Sequence, residues 1–260
     1  MSSRFADNGK KKRAAAGGGI NRVALPAGPQ VGTLVRMDAT DRRGALYAAA
    51  VPFCLWFGYV ALEAVFGGRL SGSALARQFL MIPACALLSF LSWRLGRGAE
   101  TAFSPWAFTG AAALAVAVEQ GIKAAVAAAP PGAVLLPGGW LAFVPTLNTH
   151  GAWIASRYDL SVPMIALVAV NILSIPMLLY AYRNMRLSVS RRPATHAAFI
   201  ALLAGAVCSL IDKLLRGGSL DYIAVRPLFV CDLKDIYLCI GVSLAAVEYL
   251  RVRGFRGPVS

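Results

Sequence analysis

The chain has 260 residues, 58% of them hydrophobic and 15% charged, with 26 Lys and Arg against 12 Asp and Glu for a net charge of +14. Mean hydropathy is +0.62. Soluble domains are about 45–50% apolar and about 25% charged, so this composition excludes a soluble enzyme and a disordered chain. A basic surplus points to nucleic acid or to a membrane; here the basic residues lie between long apolar runs, which favours the membrane.

Residues 1–44 are rich in Gly, Ala and basic residues and lack apolar periodicity. They read as a disordered cytoplasmic tail lying against anionic lipid. No aromatic interleaving accompanies the charge, so nucleic acid is not expected as a partner. The first apolar run starts too late, and is too long, for a cleaved signal peptide.

A helix needs about 20 mostly apolar residues to cross a bilayer. Six stretches qualify: 45–65, 78–96, 105–128, 162–182, 195–214 and 234–252. The expected fold is therefore an all-α polytopic membrane protein with about six transmembrane helices. On that topology 18 Lys and Arg fall on the side of the two termini and 7 on the other. The positive-inside rule then puts both termini in the cytoplasm. Trp93, Trp106 and Trp140 fall near span ends, as interfacial aromatics do. The segment 129–160 is rich in Pro and Gly with short apolar stretches, which suits a small β-rich element on the outer face.

Ionisable residues inside a membrane are costly and mark function. Glu119 and Lys123 are four apart in the third span and can pair on one helix face. Asp212 closes the fifth span, Asp235 opens the sixth, Asp232 precedes it by three residues, and Asp221 lies in the connection between. Two carboxylates at close range cannot both ionise cheaply, so a pair such as Asp212 and Asp235 offers a general base and a general acid together. The plainer reading makes Asp232 the N-cap of the last helix and Asp235 a first-turn acid facing its dipole.

Four blocks carry a family resemblance, in order. They are Glu119-Gln120-Gly121-Ile122-Lys123; Asn148-Thr149-His150-Gly151-Ala152-Trp153; Gly205 to Tyr222, with Asp212, Lys213 and Asp221; and Phe229 to Gly241, with Asp232, Lys234 and Asp235. Together they resemble signal peptidase II, the lipoprotein signal peptidase, a four-span aspartic peptidase of the bacterial inner membrane. In the corresponding blocks the family has Asp for Glu119, Phe for Trp153, Gly for Cys208, Asn for Ser209, Arg for Lys213, Asn for Asp232 and Ala for Lys234.

The resemblance implies three regions: a tail (1–44), two additional spans (45–98) and a four-helix domain (99–254). It implies cleavage of the signal peptide of a prolipoprotein before a diacylglyceryl-modified cysteine, with Asp212 and Asp235 as the catalytic dyad. Glu119, Lys123, Asn148, Gly151, Ser209, Asp221 and Asp232 would support the site or bind substrate. Membrane lipid is the other partner, the protein is expected to act as a monomer, and no metal or organic cofactor is implied. The departures leave an alternative, an inactive relative that binds lipoproteins or signal peptides. A transporter using the acids as a polar path is weaker, because no inverted repeat is visible.

Other residues have plainer readings. His150 and the distant His196 make no metal-ligand set, and His196 reads as interfacial. Glu63 and Glu248 read as boundary charges, and Asn171 and Pro176 as packing and kink residues. Cysteines 54, 85, 208, 231 and 239 form no C-x-x-C, and Cys231 alone reads as a candidate reactive thiol.

Overall fold

The computed structural model describes residues 39–66, 79–101, 103–129, 134–135, 141–150, 162–188, 190–226 and 229–253. The expectations for the tail up to residue 38, Trp140, Gly151 and Trp153 lie outside these residues.

Among the described residues, six α-helices occupy the six apolar stretches: α1 (Ala39–Phe66), α2 (Ile82–Gly96), α3 (Pro105–Ala128), α4 (Met164–Ser188), α5 (Pro193–Arg216) and α6 (Leu233–Arg253). Four of them, within α1, α3, α4 and α5, are long and apolar enough to cross a membrane. At 15 residues, α2 spans only about 22 Å. Helix α6 is long enough at 21 residues but carries Lys234, Asp235, Glu248 and Arg251. Helix α1 starts six residues before the expected boundary at 45, so residues 39–44 are helical rather than tail.

Local chemistry sets several helix ends. Ser104 caps α3 by accepting a hydrogen bond from Ala107 N at 3.0 Å, and proline follows at the first helical position. Pro193 opens α5 in the same way, and Gly217 ends it at φ 65°, a left-handed conformation that glycine adopts without a Cβ penalty. A Cβ on Gly218 would lie 2.8 Å from the Asn148 carbonyl oxygen, so this Gly-Gly turn lets the chain leave α5 directly against the sheet.

The sheet is antiparallel, in the order β1 (Val134–Leu135), β2 (Leu141–Asn148), β3 (Ser219–Val225), β4 (Phe229–Cys231). Its first two strands fall in the segment expected to be β-rich. The other two come from the α5–α6 connection, so Asp221 lies on a strand rather than in a loop. Register places Asn148 opposite Ser219 and Thr146 opposite Asp221. Ser219 and Asp221 therefore share a face, with Asn148 as their cross-strand and diagonal neighbour.

Helix α5 is central: half of its apolar window is buried, whereas α4 buries none of its own. Phe108, Tyr182, Ala194, Ala198, Phe199 and Leu244 form the core where α3, α4, α5 and α6 meet. Tyr182 stacks on Phe108 at 4.2 Å, and its hydroxyl lies 2.9 Å from His196 Nδ1. His196, expected at an interface, is buried in this aromatic cluster.

A polar latch joins α1 and α2 to α6. Glu248 is fully buried, not a boundary charge. It pairs with Arg251 at 3.0 Å and accepts from Ser190 Oγ at 3.0 Å. Arg251 also donates to the Gly96 carbonyl, as does Arg192 at 3.1 Å. A Cβ on Gly44 or Gly96 would sit 2.5 Å from the Arg251 guanidinium, so glycine at both positions admits the arginine. Breaking a buried pair from one side leaves an uncompensated charge, at a cost of about 3–5 kcal/mol. Arg251→Met is therefore expected to lower stability by about that amount, measured by detergent-titrated unfolding in micelles, with Arg251→Lys intermediate.

Candidate active site

At the opposite end of α6, the end of α5, the start of α6, the middle of α3 and strand β3 converge on five carboxylates. Lys123 is fully buried and pairs with three of them: Glu119 at 3.0 Å, Asp232 at 2.5 Å, and Asp212. The i,i+4 pairing with Glu119 follows from helix geometry. The two longer-range partners follow from packing α3 against α5 and α6. Tyr222 adds a hydrogen bond to Glu119 Oε2 at 2.9 Å, and burial together with Glu119 raises the Tyr222 pKa.

Asp212 is fully buried and saturated with donors. Besides Lys123 it accepts from Arg216 at 2.9 Å and Gln120 at 3.2 Å, and the Ser219 hydroxyl lies 3.4 Å away. Arg216 bridges onward to Gln120 Oε1 at 2.9 Å. Ser209 does not reach Asp212; its hydroxyl lies 2.6 Å from Lys213 Nζ, one helical turn on.

Asp235 has other carboxylate neighbours. One oxygen each from Asp221, Asp232 and Asp235 lie within 4.8 Å of one another. The sequence reading paired Asp235 with Asp212; the structure instead groups it with Asp221 and Asp232, because β3 brings Asp221 back over the start of α6. The Asp235 side chain is 41% exposed, while that of Asp221 is 7% exposed. Burial raises the Asp221 pKa, and Lys234 and Ser219 pull it back only in part. Asn148 Nδ2 donates to Asp221 Oδ2 at 3.3 Å, and Ser219 donates to Oδ1 at 2.7 Å.

Lys234 sits in the middle of this acidic group. Its ammonium lies 2.6 Å from Asp232, 3.5 Å from Asp235 and 3.6 Å from Asp221. A trio of acids so spaced has the donors for a divalent cation, and Lys234 supplies positive charge there from within the chain. Among the described residues, five carboxylates (Glu119, Asp212, Asp221, Asp232, Asp235) face four basic side chains (Lys123, Lys213, Arg216, Lys234). Within that described set the acids outnumber the bases by one, and a close carboxylate pair favours holding one proton.

Asp232 also caps α6, as the plainer sequence reading expected. Its Oδ1 accepts from Asp235 N at 3.1 Å, and Asp235 Oδ2 accepts in return from Asp232 N at 3.4 Å, a reciprocal capping arrangement. Burial alone would raise the Asp232 pKa, but Lys234 and Lys123 outweigh it and hold the group ionised below the usual range. Its stabilisation is therefore fully present above the unfolded aspartate pKa of about 3.9 and is lost as pH falls through the lower folded value. Asp232→Asn is expected to reduce thermal stability in micelles at about pH 7 and to have a smaller effect at about pH 3.

Gln120, Arg216, Ser219 and Tyr222 were not singled out as site residues from the sequence. Two had a visible signal, Arg216 by its i,i+4 spacing from Asp212 and Gln120 by its place in the block from Glu119 to Lys123; the contacts of Ser219 and Tyr222 depend on strand register and helix rotation. Cys231 is half-buried on β4, and burial, with Asp235 and Asp232 beside it, pushes its thiol up to about 12. That corrects the reading of a reactive thiol. Its alkylation near neutral pH is expected to run about a thousandfold slower than that of a free thiol, read by mass spectrometry of maleimide-treated protein.

The fold and site define a polytopic membrane protein with a buried cluster of carboxylates and ammonium groups where its helices meet a small sheet. The chain belongs to the signal peptidase II family: residues 111–251, more than half of it, match the family described as Peptidase_A8, Signal peptidase (SPase) II. That match leaves α1 and α2 outside. No curated protein matches the chain. Solved structures that share the fold include two bacterial membrane enzymes. One is a bacterial membrane enzyme determined by the in meso method at 2.3 Å, with 19% identity, TM-score 0.52, and coverage of 62% of this chain and 98% of that one. The other is a bacterial membrane enzyme determined by the same method at 1.9 Å, with 20% identity, TM-score 0.50, and coverage of 58% and 97%.

Proposed function

We propose that the protein is a membrane aspartic endopeptidase that removes signal peptides from diacylglyceryl-modified prolipoproteins, with Asp221 and Asp235 as the reacting pair. Family membership supports the peptidase class and the lipoprotein substrate. The observation that carries the residue assignment is the grouping of Asp235 with Asp221, within 4.8 Å and partly exposed. Asp212 is the less suitable partner because its oxygens already accept from Lys123, Arg216 and Gln120.

The chemistry follows from one proton shared by the pair. The ionised carboxylate takes a proton from water, and the water oxygen attacks the scissile carbonyl. The protonated carboxyl then gives its proton to the departing amide nitrogen, the C–N bond breaks, and a carboxylic acid and an amine result. Asn148 and Ser219 hold Asp221 in place. Asp212 keeps Lys123 and Arg216 beside the site, and Glu119 anchors Lys123. Ser209 acts through its hydrogen bond with Lys213. No metal enters this route, and Lys234 supports that reading by occupying the acids that would bind one.

In this reading the protein lies in a bacterial inner membrane with both termini cytoplasmic and the aspartates near the outer face. The exposed apolar faces of α3 and α4 hold the acyl chains, since burial of lipid chain contributes about 0.8 kcal/mol per CH₂. Helices α1 and α2 are an added two-helix unit, and the protein acts as a monomer.

The test is cleavage of a diacylglyceryl-modified prolipoprotein in micelles, with product mass read directly. Wild type is expected to release the signal peptide, and Asp221→Asn and Asp235→Asn to abolish release. Asp212→Asn is expected to retain measurable turnover, and a chelator to leave the rate unchanged. Abolition by Asp212→Asn with retention in Asp221→Asn would return the dyad to Asp212 and Asp235. Binding without cleavage by folded wild type would favour the inactive binder.

A further inference from the structure

We propose that Lys234 is a positioning residue that sets the charge carried by the Asp221–Asp235 pair, with Asp232 as its counter-charge. This rests on the pair assigned above and adds to it the control of its working pH.

Lys234 is in contact with both members of the pair, at 3.6 Å and 3.5 Å. Its side chain is only 6% exposed and that of Asp221 7%, so solvent screens that contact weakly, and the contact with the 41% exposed Asp235 more. Its shortest contacts are with Asp232 Oδ2 and Ser219 Oγ, both at 2.6 Å, and these fix the ammonium over the pair. The placement is unfavourable for the helix itself. Asp232 caps α6, so Lys234 occupies the second helical position, where the dipole disfavours a cation. An acid or a neutral residue would suit that position better, and the carboxylates around the ammonium explain why a lysine is held there.

The other charges around Lys234 act on it from each packed element. Asp221 faces it from β3, Asp232 from the residue before α6, and Asp235 from α6 itself. Lys123 on α3 and Lys213 on α5 repel it. Asp212 on α5 and Glu119 on α3 share Lys123 with Asp232 and so hold that second cation close. Asp232 is divided between Lys123 and Lys234, which leaves Lys234 with attraction to spend on Asp221 and Asp235.

A reacting carboxylate pair works between two ionisations: the first creates the base, and the second removes the acid. A cation in contact with both groups favours the charged form of each and moves both ionisations down. Removing it moves both up. A substitution that removes Asp232 and Lys234 together leaves the local formal charge unchanged and is expected to move them less.

The experiment uses the full chain in micelles and compares wild type with Lys234→Met, Lys234→Arg and the double variant Asp232→Asn/Lys234→Ala. Two quantities are read against pH: signal-peptide release from a diacylglyceryl-modified prolipoprotein, and the infrared stretch of protonated carboxyl groups, assigned by its loss in Asp221→Asn and Asp235→Asn. In Lys234→Met both limbs of the rate profile are expected to rise by roughly one to three pH units. Lys234→Arg should keep the wild-type profile, and the double variant should shift less than Lys234→Met. An unmoved profile in active Lys234→Met overturns the role of Lys234 and leaves the aspartate pair standing. If Lys234→Met is inactive at every pH, the infrared titration decides: an upward move supports the role, and an unmoved band overturns it. If wild type itself does not cleave, the peptidase reading fails, and the same titration still decides whether Lys234 sets the charge of the pair.

Discussion

The ammonium of Lys123 is the interaction on which the rest of the site depends. It is fully buried and touches carboxylates from three places: its own helix, the end of α5, and the residue before α6. A buried ion is tolerated only when its partners are close and themselves satisfied, and here each partner has a further donor. Tyr222 serves Glu119, Arg216 and Gln120 serve Asp212, and Lys234 serves Asp232. Three chain segments far apart in sequence are thereby pinned at one point, and the sheet strand that carries Asp221 is drawn to it through Ser219.

The start of α6 serves two purposes with the same atoms. Asp232 and Asp235 exchange hydrogen bonds with each other's backbone and begin the helix. Their remaining carboxylate oxygens face Lys234, Lys123 and Asp221. A cap fixes backbone position, so the capping arrangement sets Asp235 relative to Asp221 more tightly than a free side chain would. This is why the helix-cap reading and the active-site reading of these acids are compatible rather than competing.

The far end of α6 answers to similar physics with a different result. Glu248 and Arg251 are buried together and reach Gly96 and Ser190, so one shielded ion pair and two glycines help attach α1 and α2 to the family's helices, beside the apolar packing of Ala48, Val51 and Trp93 with Val247. Helix α6 therefore carries charge at both ends, which explains why its composition falls short of a simple membrane span while its length does not.

Much was legible in the sequence. Long apolar runs located the six described helices, because a bilayer demands length and apolarity that few other settings require. Helical spacing paired Glu119 with Lys123, and the acid before the last helix was recognisable as its cap; both are local effects set by a few neighbouring residues. What the sequence did not disclose was which distant charges meet. Asp235 groups with Asp221 because strand register turns Ser219 and Asp221 to one face over the start of α6. Asp212 faces instead toward Lys123 and Arg216. His196 and Glu248 had the spacing of interfacial residues and are buried, since packing between helices, not distance from a span end, determines access to water. The sequence by itself determined the helices, their caps and the inventory of charges. Only the tertiary structure decided which carboxylates share a site, because that choice depends on helix rotation and strand register, which non-local contacts set.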